Sequence, residues 1–373
     1  MLKQVSYRES VPSRIASRVF TVVMLVILIA GLTGCSSSST PTPASPTSIS
    51  PTQPVATKAA VTQPASATQN ATAAPTTAAA LPARGGSGGM AGSLMSVTPT
   101  YKDVAYASVS AAQKLDLYIP QGTGPFALVI MVHGGGFMMG DKADGAGLGG
   151  GDTILAQGYA IASLNYRLAA EAKFPAQIQD VKAAVRFLRA NAQKYNLNPD
   201  KFAAFGASAG GNLVALLGTS CGVAELEGAD LGNAGQSSCV QAVVDWFGPI
   251  DFLKMDEQFT GTSCPVNHND ASSPESQVIG AAIQSVPEKA KAANPITYID
   301  GSEPPFLIQK GEQDCTVAVE NTKMLADALS AKGVSVQYDL LPGVGHGDTG
   351  STPVFEDAEN IQKVIAFLDS HLK

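Results

Sequence analysis

The sequence predicts an α/β domain: a mostly parallel β-sheet with helices on both faces. Three observations predict it. Short continuous apolar runs such as Ala127-Leu128-Val129-Ile130-Met131-Val132 suit strands buried on both sides. Stretches with helical apolar spacing alternate with these runs along the chain. Turns rich in glycine and in reactive side chains follow directly on several runs, where a parallel sheet carries its functional loops.

Taken in order, residues 1–34 come first, with Lys3, Arg8, Arg14 and Arg18 ahead of the apolar stretch Val19 to Leu32. A basic segment followed by an apolar core too short to cross a bilayer reads as a secretory signal peptide. It ends in Leu32-Thr33-Gly34-Cys35, which resembles the bacterial lipobox. That resemblance implies a lipid on the Cys35 sulfur, and hence a membrane-anchored, extracytoplasmic lipoprotein of the bacterial cell envelope; anchoring is firm when two or more acyl chains are attached. Arg14 and Arg18 are not adjacent, so no twin-arginine signal is indicated. Residues 35–92 are dominated by Ser, Thr, Pro, Ala and Gly, almost without charge. Such a segment buries too little apolar surface to offset the entropy of ordering and reads as an extended tether. Asn70-Ala71-Thr72 fits a glycosylation sequon, a weak signal in a bacterial lipoprotein.

Residues 93–373 read as one domain of the larger α/β kind. Lys114 to Ile119 alternates like a half-exposed strand. Buried strands are predicted over Ala127–Val132, Tyr159–Leu164, Lys201–Phe205, Val240–Trp246, Phe306–Gln309 and Val334–Leu341. Between them Ile178, Val181, Ala184, Val185, Leu188 and Ala192 share one helical face, with Lys182, Arg186, Arg189 and Gln193 opposite. Further helices are expected from Asn212 to Leu217, from about Ala318 to Lys332, and from about Phe355 to Leu372.

The net charge of −7, with no basic cluster outside the signal, argues against a nucleic-acid partner. Cys221, Cys239, Cys264 and Cys315 would reside where disulfides persist, and four cysteines allow three pairings. The favoured pairing is Cys221 with Cys239, closing the polar excursion Gly222 to Ser238, which leaves Cys264 with Cys315. The spacing lacks the paired pattern of structural zinc. Gly140-Asp141-Lys142 does not satisfy a phosphate loop, and Asp141, Asp144 and Asp152 do not match an EF-hand, so no metal is expected.

The chemistry concentrates in Gly206-Ala207-Ser208-Ala209-Gly210, between a strand and a helix. Small neighbours let the chain reverse sharply and lift the serine hydroxyl clear. A serine needs a base, and there are four histidines. His371 lies in the last helix, His268 in a polar loop read as an exposed rim, and His133 beside a glycine run that it holds. His346, in Gly345-His346-Gly347 after the last strand, is the base of choice. Asp314, just after Phe306–Gln309, supplies the acid that orients it, in the chain order serine, acid, histidine. Glu312 is the runner-up acid, with Asp251 and Asp300 behind it. The glycines of His133-Gly134-Gly135-Gly136 let backbone N–H groups face an oxyanion, and Ala209 N–H supplies another donor.

These motifs, with Asn165-Tyr166-Arg167, Asp180, Phe247-Gly248-Pro249 and Asn294-Pro295, resemble those of α/β-hydrolase esterases of the bacterial feruloyl-esterase-like and hormone-sensitive-lipase-like branches. The match runs from about Tyr118 to Gly347. The resemblance implies an α/β-hydrolase fold with an eight-stranded sheet, no cofactor, and an acyl-enzyme on Ser208 completed by Asp314 and His346. It also implies Gly134, Gly135 and Ala209 as oxyanion donors, and Arg167 with Asp180 as a structural pair. Little sequence precedes the glycine run once the tether is removed, so no N-terminal helical cap is expected. The segment Phe252 to Asn294 would then form a loop-rich rim around an open site. The expected function is a serine carboxylesterase acting on small or exposed acyl esters, acetyl or feruloyl groups on polysaccharide among them. A short-chain lipase, a peptidase or amidase on the same scaffold, and a non-catalytic binding module are the competing readings.

Overall fold

A computed structural model describes residues 95–143, 148–347 and 354–373, all within the compact unit Pro82–Lys373. The expected signal peptide, Cys35, the tether and Asp144 lie outside the described residues.

The sheet comprises β1 (Tyr101–Ala105), β2 (Lys114–Tyr118), β3 (Phe126–Val132), β4 (Ala160–Leu164), β5 (Leu197–Ala207), β6 (Ala242–Trp246), β7 (Phe306–Gly311) and β8 (Val336–Leu341). Their spatial order is β1-β2-β4-β3-β5-β6-β7-β8. β2 runs antiparallel to both β1 and β4, and every other pairing is parallel. Helices follow the strands: α1 (Gly151–Ala156), α2 (Ala176–Ala190), α3 (Ala209–Thr219), α4 (Ala224–Glu227), α5 (Met255–Gln258), α6 (Pro274–Ile279), α7 (Pro287–Ala292), α8 (Val319–Ala331) and α9 (Ala358–Leu372).

The continuous apolar runs become central strands because both of their faces are covered. Leu128, Ile130 and Val132 of β3 pack with α2 and α3 in one core, while Val129 and Met131 join Ile154 of α1 and Val364 of α9 in the other. The two-residue period of a strand thus feeds two cores from one run. Full burial of each such side chain is worth about 1.5–3 kcal/mol.

Four elements depart from expectation. β8, read as a buried strand, is half-exposed because it forms one edge of the sheet, and β2, read as half-exposed, is buried along most of its length between β1 and β4. β1 has no apolar run; it is a largely exposed edge strand, and Lys102 and Asp103 suit an edge that must not recruit another chain. In α2, the cations opposite the apolar stripe are not solvated, since Lys182 and Arg186 are fully buried beneath α4. Glu227 binds both, its carboxylate 2.7 Å from Lys182 Nζ and 3.0 Å from Arg186 Nη1. The polar excursion 222–238 folds over these charges and is closed by a Cys221–Cys239 disulfide.

Candidate active site

The site is built at the carboxyl ends of β3, β5, β7 and β8, where a parallel sheet leaves room for loops. Ser208 stands between β5 and α3 with φ 55° and ψ −121°, a backbone conformation that costs a side chain about 1–3 kcal/mol. Close packing enforces that turn. A Cβ on Gly206 would lie 2.2 Å from the Gly210 carbonyl oxygen, and one on Gly210 would lie 2.0 Å from that of Val132. Only glycines let strand, helix and the neighbouring β3 end approach so closely.

The hydroxyl of Ser208 lies 2.9 Å from His346 Nε2, and His346 Nδ1 lies 2.8 Å from Asp314 Oδ2. The second Asp314 oxygen accepts the N–H groups of Thr316 and Val317 at 2.7 and 2.9 Å. Lys310, fully buried near the end of β7, donates to Oδ2 as well. Burial acts to raise the Asp314 carboxyl, but His346 and then Lys310 outweigh it and hold the group well below the usual carboxylate range. The Phe247 ring meets the imidazole edge to face, with centroids 4.8 Å apart.

The glycine run is held by its own neighbours. His133 is buried, stacked on Tyr166, and its Nδ1 lies 2.8 Å from the Gly134 carbonyl oxygen. Tyr166 donates its hydroxyl to the carbonyls of His133 and Gly134 at 3.1 and 3.4 Å. Fixing the Gly134 carbonyl fixes the Gly134–Gly135 peptide plane, whose N–H points the opposite way. Ala209 opens α3, where the first N–H groups have no acceptor within the helix. The site therefore holds a serine hydroxyl, an imidazole and an ionised carboxylate in one hydrogen-bonded line.

The structure brings Ser208, Asp314 and His346 together and packs the Val132 and His133 carbonyls, just ahead of the glycine run, against Gly210 at the start of α3. The other carboxylates serve elsewhere: Glu312 accepts Gly343 N–H at 3.1 Å, Asp251 caps Leu253, and Asp300 accepts from Ser302. Cys264 and Cys315 are disulfide-bonded, tying the rim to the residue after Asp314. Arg167 forks onto Asp180 at 2.7 to 3.1 Å. His268 is a correction: it is buried rather than exposed, with Nδ1 2.7 Å from Asp256 Oδ1 and its ring stacked on Phe259. The rim likewise contains α5, α6 and α7 rather than loop alone.

Sequence reasoning missed two buried charges behind the triad. Lys310 is one. The other is Asp245 on β6, whose Oδ1 accepts Gly248 N–H at 2.9 Å and whose Oδ2 has no partner among the described residues. Burial pushes the Asp245 carboxyl up to about 7 against the pull of Gly248 and Lys310. A charged residue within the apolar run Val243-Val244-Asp245-Trp246 is the signal that could have found Asp245.

Fold and site together define an α/β-hydrolase of the esterase type, of the feruloyl-esterase-like and hormone-sensitive-lipase-like kind. The model of the BD-FAE family matches residues 115–329, more than half of the chain, and the chain belongs to that family. It is 33% identical over 239 residues to the esterase LipC of Mycobacterium tuberculosis, covering 63% of this chain and 57% of LipC. The chain spans about half the length of the curated relatives it matches. Among solved structures, a truncated carbohydrate esterase from gut microbiota is 33% identical with a TM-score of 0.67, over 75% of this chain and 99% of that one. A bifunctional GH43-CE protein of Bacteroides eggerthii is 35% identical with a TM-score of 0.66, over 73% of this chain and 35% of that one.

Proposed function

We propose that the chain hydrolyses carboxylic esters through an acyl-enzyme on Ser208. The observation that carries this reading is the continuous line from Ser208 Oγ through His346 to Asp314 Oδ2. His346 Nε2 takes the hydroxyl proton as Oγ attacks the ester carbonyl, and Asp314 accepts the Nδ1–H and stabilises the imidazolium. The N–H groups of Gly134, Gly135 and Ala209 receive the developing oxyanion, each such donor being worth about 2.7–4 kcal/mol. Nε2 then gives its proton to the departing alcohol. A water, deprotonated by the same nitrogen, attacks the acyl carbon and releases acid and free serine.

The substrates we propose are small or exposed acyl esters borne by carbohydrate. The likeness to carbohydrate esterases along nearly the whole of one such chain supports this. Met138 and Met139, both exposed on the loop after the glycines, give the rim an apolar edge suited to an acyl or aryl group. We also place the enzyme at the bacterial envelope, held by lipid on Cys35. The Leu32-Thr33-Gly34-Cys35 sequence and two disulfides support that location. Radiolabelled fatty acid should enter the wild type and not Cys35→Ser; equal labelling removes the anchor.

A panel of p-nitrophenyl and acetylated-xylan esters tests the activity. Turnover should be lost in Ser208→Ala, and a fluorophosphonate probe should label the wild type but not this variant. Undiminished turnover by Ser208→Ala would defeat the proposal.

A further inference from the structure

A serine triad ordinarily presents one uncompensated carboxylate to its imidazole, and that charge favours the imidazolium. Here the carboxylate is already matched. The Lys310 ammonium and His346 Nδ1 converge on the same Asp314 oxygen, and the Lys310 and Asp314 side chains are both fully buried. The four-carbon stem of Lys310 rises from β7 on the face shared with Ile308, beneath the turn that carries Asp314. Screening by water is absent at such a site, so a unit charge acts strongly on a neighbour a few ångströms away. Among the described residues the other charged groups facing this cluster are few. Burial acts to lower the Lys310 ammonium, while Asp314 first, then Asp245 of β6 and Glu320 in the first turn of α8, pull against it. Glu312 turns away to Gly343, and the Phe247 ring edge covers the imidazole. Asp348, two positions after His346, lies outside the described residues.

We propose that Lys310 is a positioning residue for Asp314 whose ammonium offsets the triad carboxylate, so that the reaction persists to lower pH than an uncompensated triad would allow. The inference rests on the serine mechanism proposed above. Its physical content is a balance of two actions on one oxygen. As a donor, Lys310 fixes the carboxylate so that Oδ2 stays in line with Nδ1. As a cation, it subtracts from the attraction that Asp314 exerts on a proton at Nε2, so the imidazole remains a competent base as the solution becomes more acidic. A neutral donor in its place would do the first and not the second.

The test is the pH dependence of Ser208 labelling by a fluorophosphonate, alongside kcat/KM for p-nitrophenyl acetate, in the full chain and its Lys310→Met, Lys310→Gln and Lys310→Arg variants. Removing the charge with Met or Gln should move the acid limb up by about one pH unit. Labelling at the alkaline plateau should stay within about tenfold of wild type, and KM should change little. Arg, which keeps the charge, should leave the limb in place. If Lys310→Met fails to fold, Lys310→Gln carries the comparison with Arg. An acid limb that stays put when the charge is removed overturns the proposal, as does plateau labelling abolished in a folded Gln variant. Failure of the serine mechanism itself would look different: the wild type would not label at Ser208 at any pH.

Discussion

Two carboxylates stand near the ends of adjacent strands, Asp245 on β6 and Asp314 just past β7, and both are buried within reach of Lys310. Their chemistry is opposite. Asp314 has four donors, from His346, Lys310, Thr316 and Val317, and is held ionised. Among the described residues Asp245 has one donor, Gly248 N–H, and burial pushes it to about 7. What separates a carboxyl held ionised from one that keeps its proton to about pH 7 is therefore the number of donors and cations aimed at it, not its depth in the sheet. The aspartate that the loop after β7 exposes to donors is the one that reaches the His346 imidazole. The one enclosed among Gly211, Gly248 and the strands takes no part in the hydrogen-bonded line.

The comparison breaks most visibly at Asp314. Asp314→Asn keeps the shape but donates where the imidazole also donates, so His346 is held in the wrong tautomer and kcat should fall by about four orders of magnitude. Esterase assays with active-site titration measure it; a loss below tenfold would mean another acid serves. The matching change on the other strand, Asp245→Asn, should barely affect turnover and should instead alter how stability depends on pH. Because the folded state binds the Asp245 proton more tightly than the unfolded chain, stability from this group is full below about pH 4 and declines as pH rises through about 7. Asp314 acts in the reverse sense, its contribution present above about pH 4 and lost in acid. Between pH 5 and 8 the wild type should lose about 2–3 kcal/mol on account of Asp245. Urea unfolding at the two values should show that decrement missing from Asp245→Asn; identical slopes would show that Asp245 is ionised when folded.

The same contrast explains what could be read from the sequence. Ser208, Asp314 and His346 are legible because each follows an apolar run and sits among small or polar turn residues, in the chain order that a parallel sheet can gather at one edge. The inner strands β3 to β7 are legible because burial on both faces demands unbroken apolar runs, and β2 because its apolar residues alternate, whereas β1 rests on edge pairing alone and shows no apolar run. Lys310 is illegible for a related reason. A lysine after Phe306-Leu307-Ile308-Gln309 reads as the end of the strand, yet β7 continues to Gly311 with Lys310 wholly inside. Its partner Asp314 lies past a turn, so nothing local announces the pair. Lys182 and Arg186 mislead in the same way, because the helical period shows only that they share a face. Their cover comes from Glu227, some forty residues on, held in a disulfide-closed excursion.

Smaller effects sharpen the picture at the seam between the two strands. Phe247, which follows β6, presses its ring against His346. Phe247→Leu keeps most of the apolar volume and removes the aromatic contact, worth about 0.5–1.5 kcal/mol, so kcat should drop roughly threefold to tenfold with KM little changed. A rise in KM alone would reassign the ring to substrate binding. The smallest effect is expected at Glu312, the acid nearest Asp314 in sequence. It is exposed, and its carboxylate turns to the Gly343 N–H at 3.1 Å rather than to the imidazole. Glu312→Gln retains an acceptor for that N–H, so both kcat and the acid limb should match wild type within about twofold, as for surface substitutions generally. A loss comparable to that of Asp314→Asn would mean that the imidazole is oriented from Glu312 during turnover, and the assignment of the acid would pass to the residue whose side chain is free to swing.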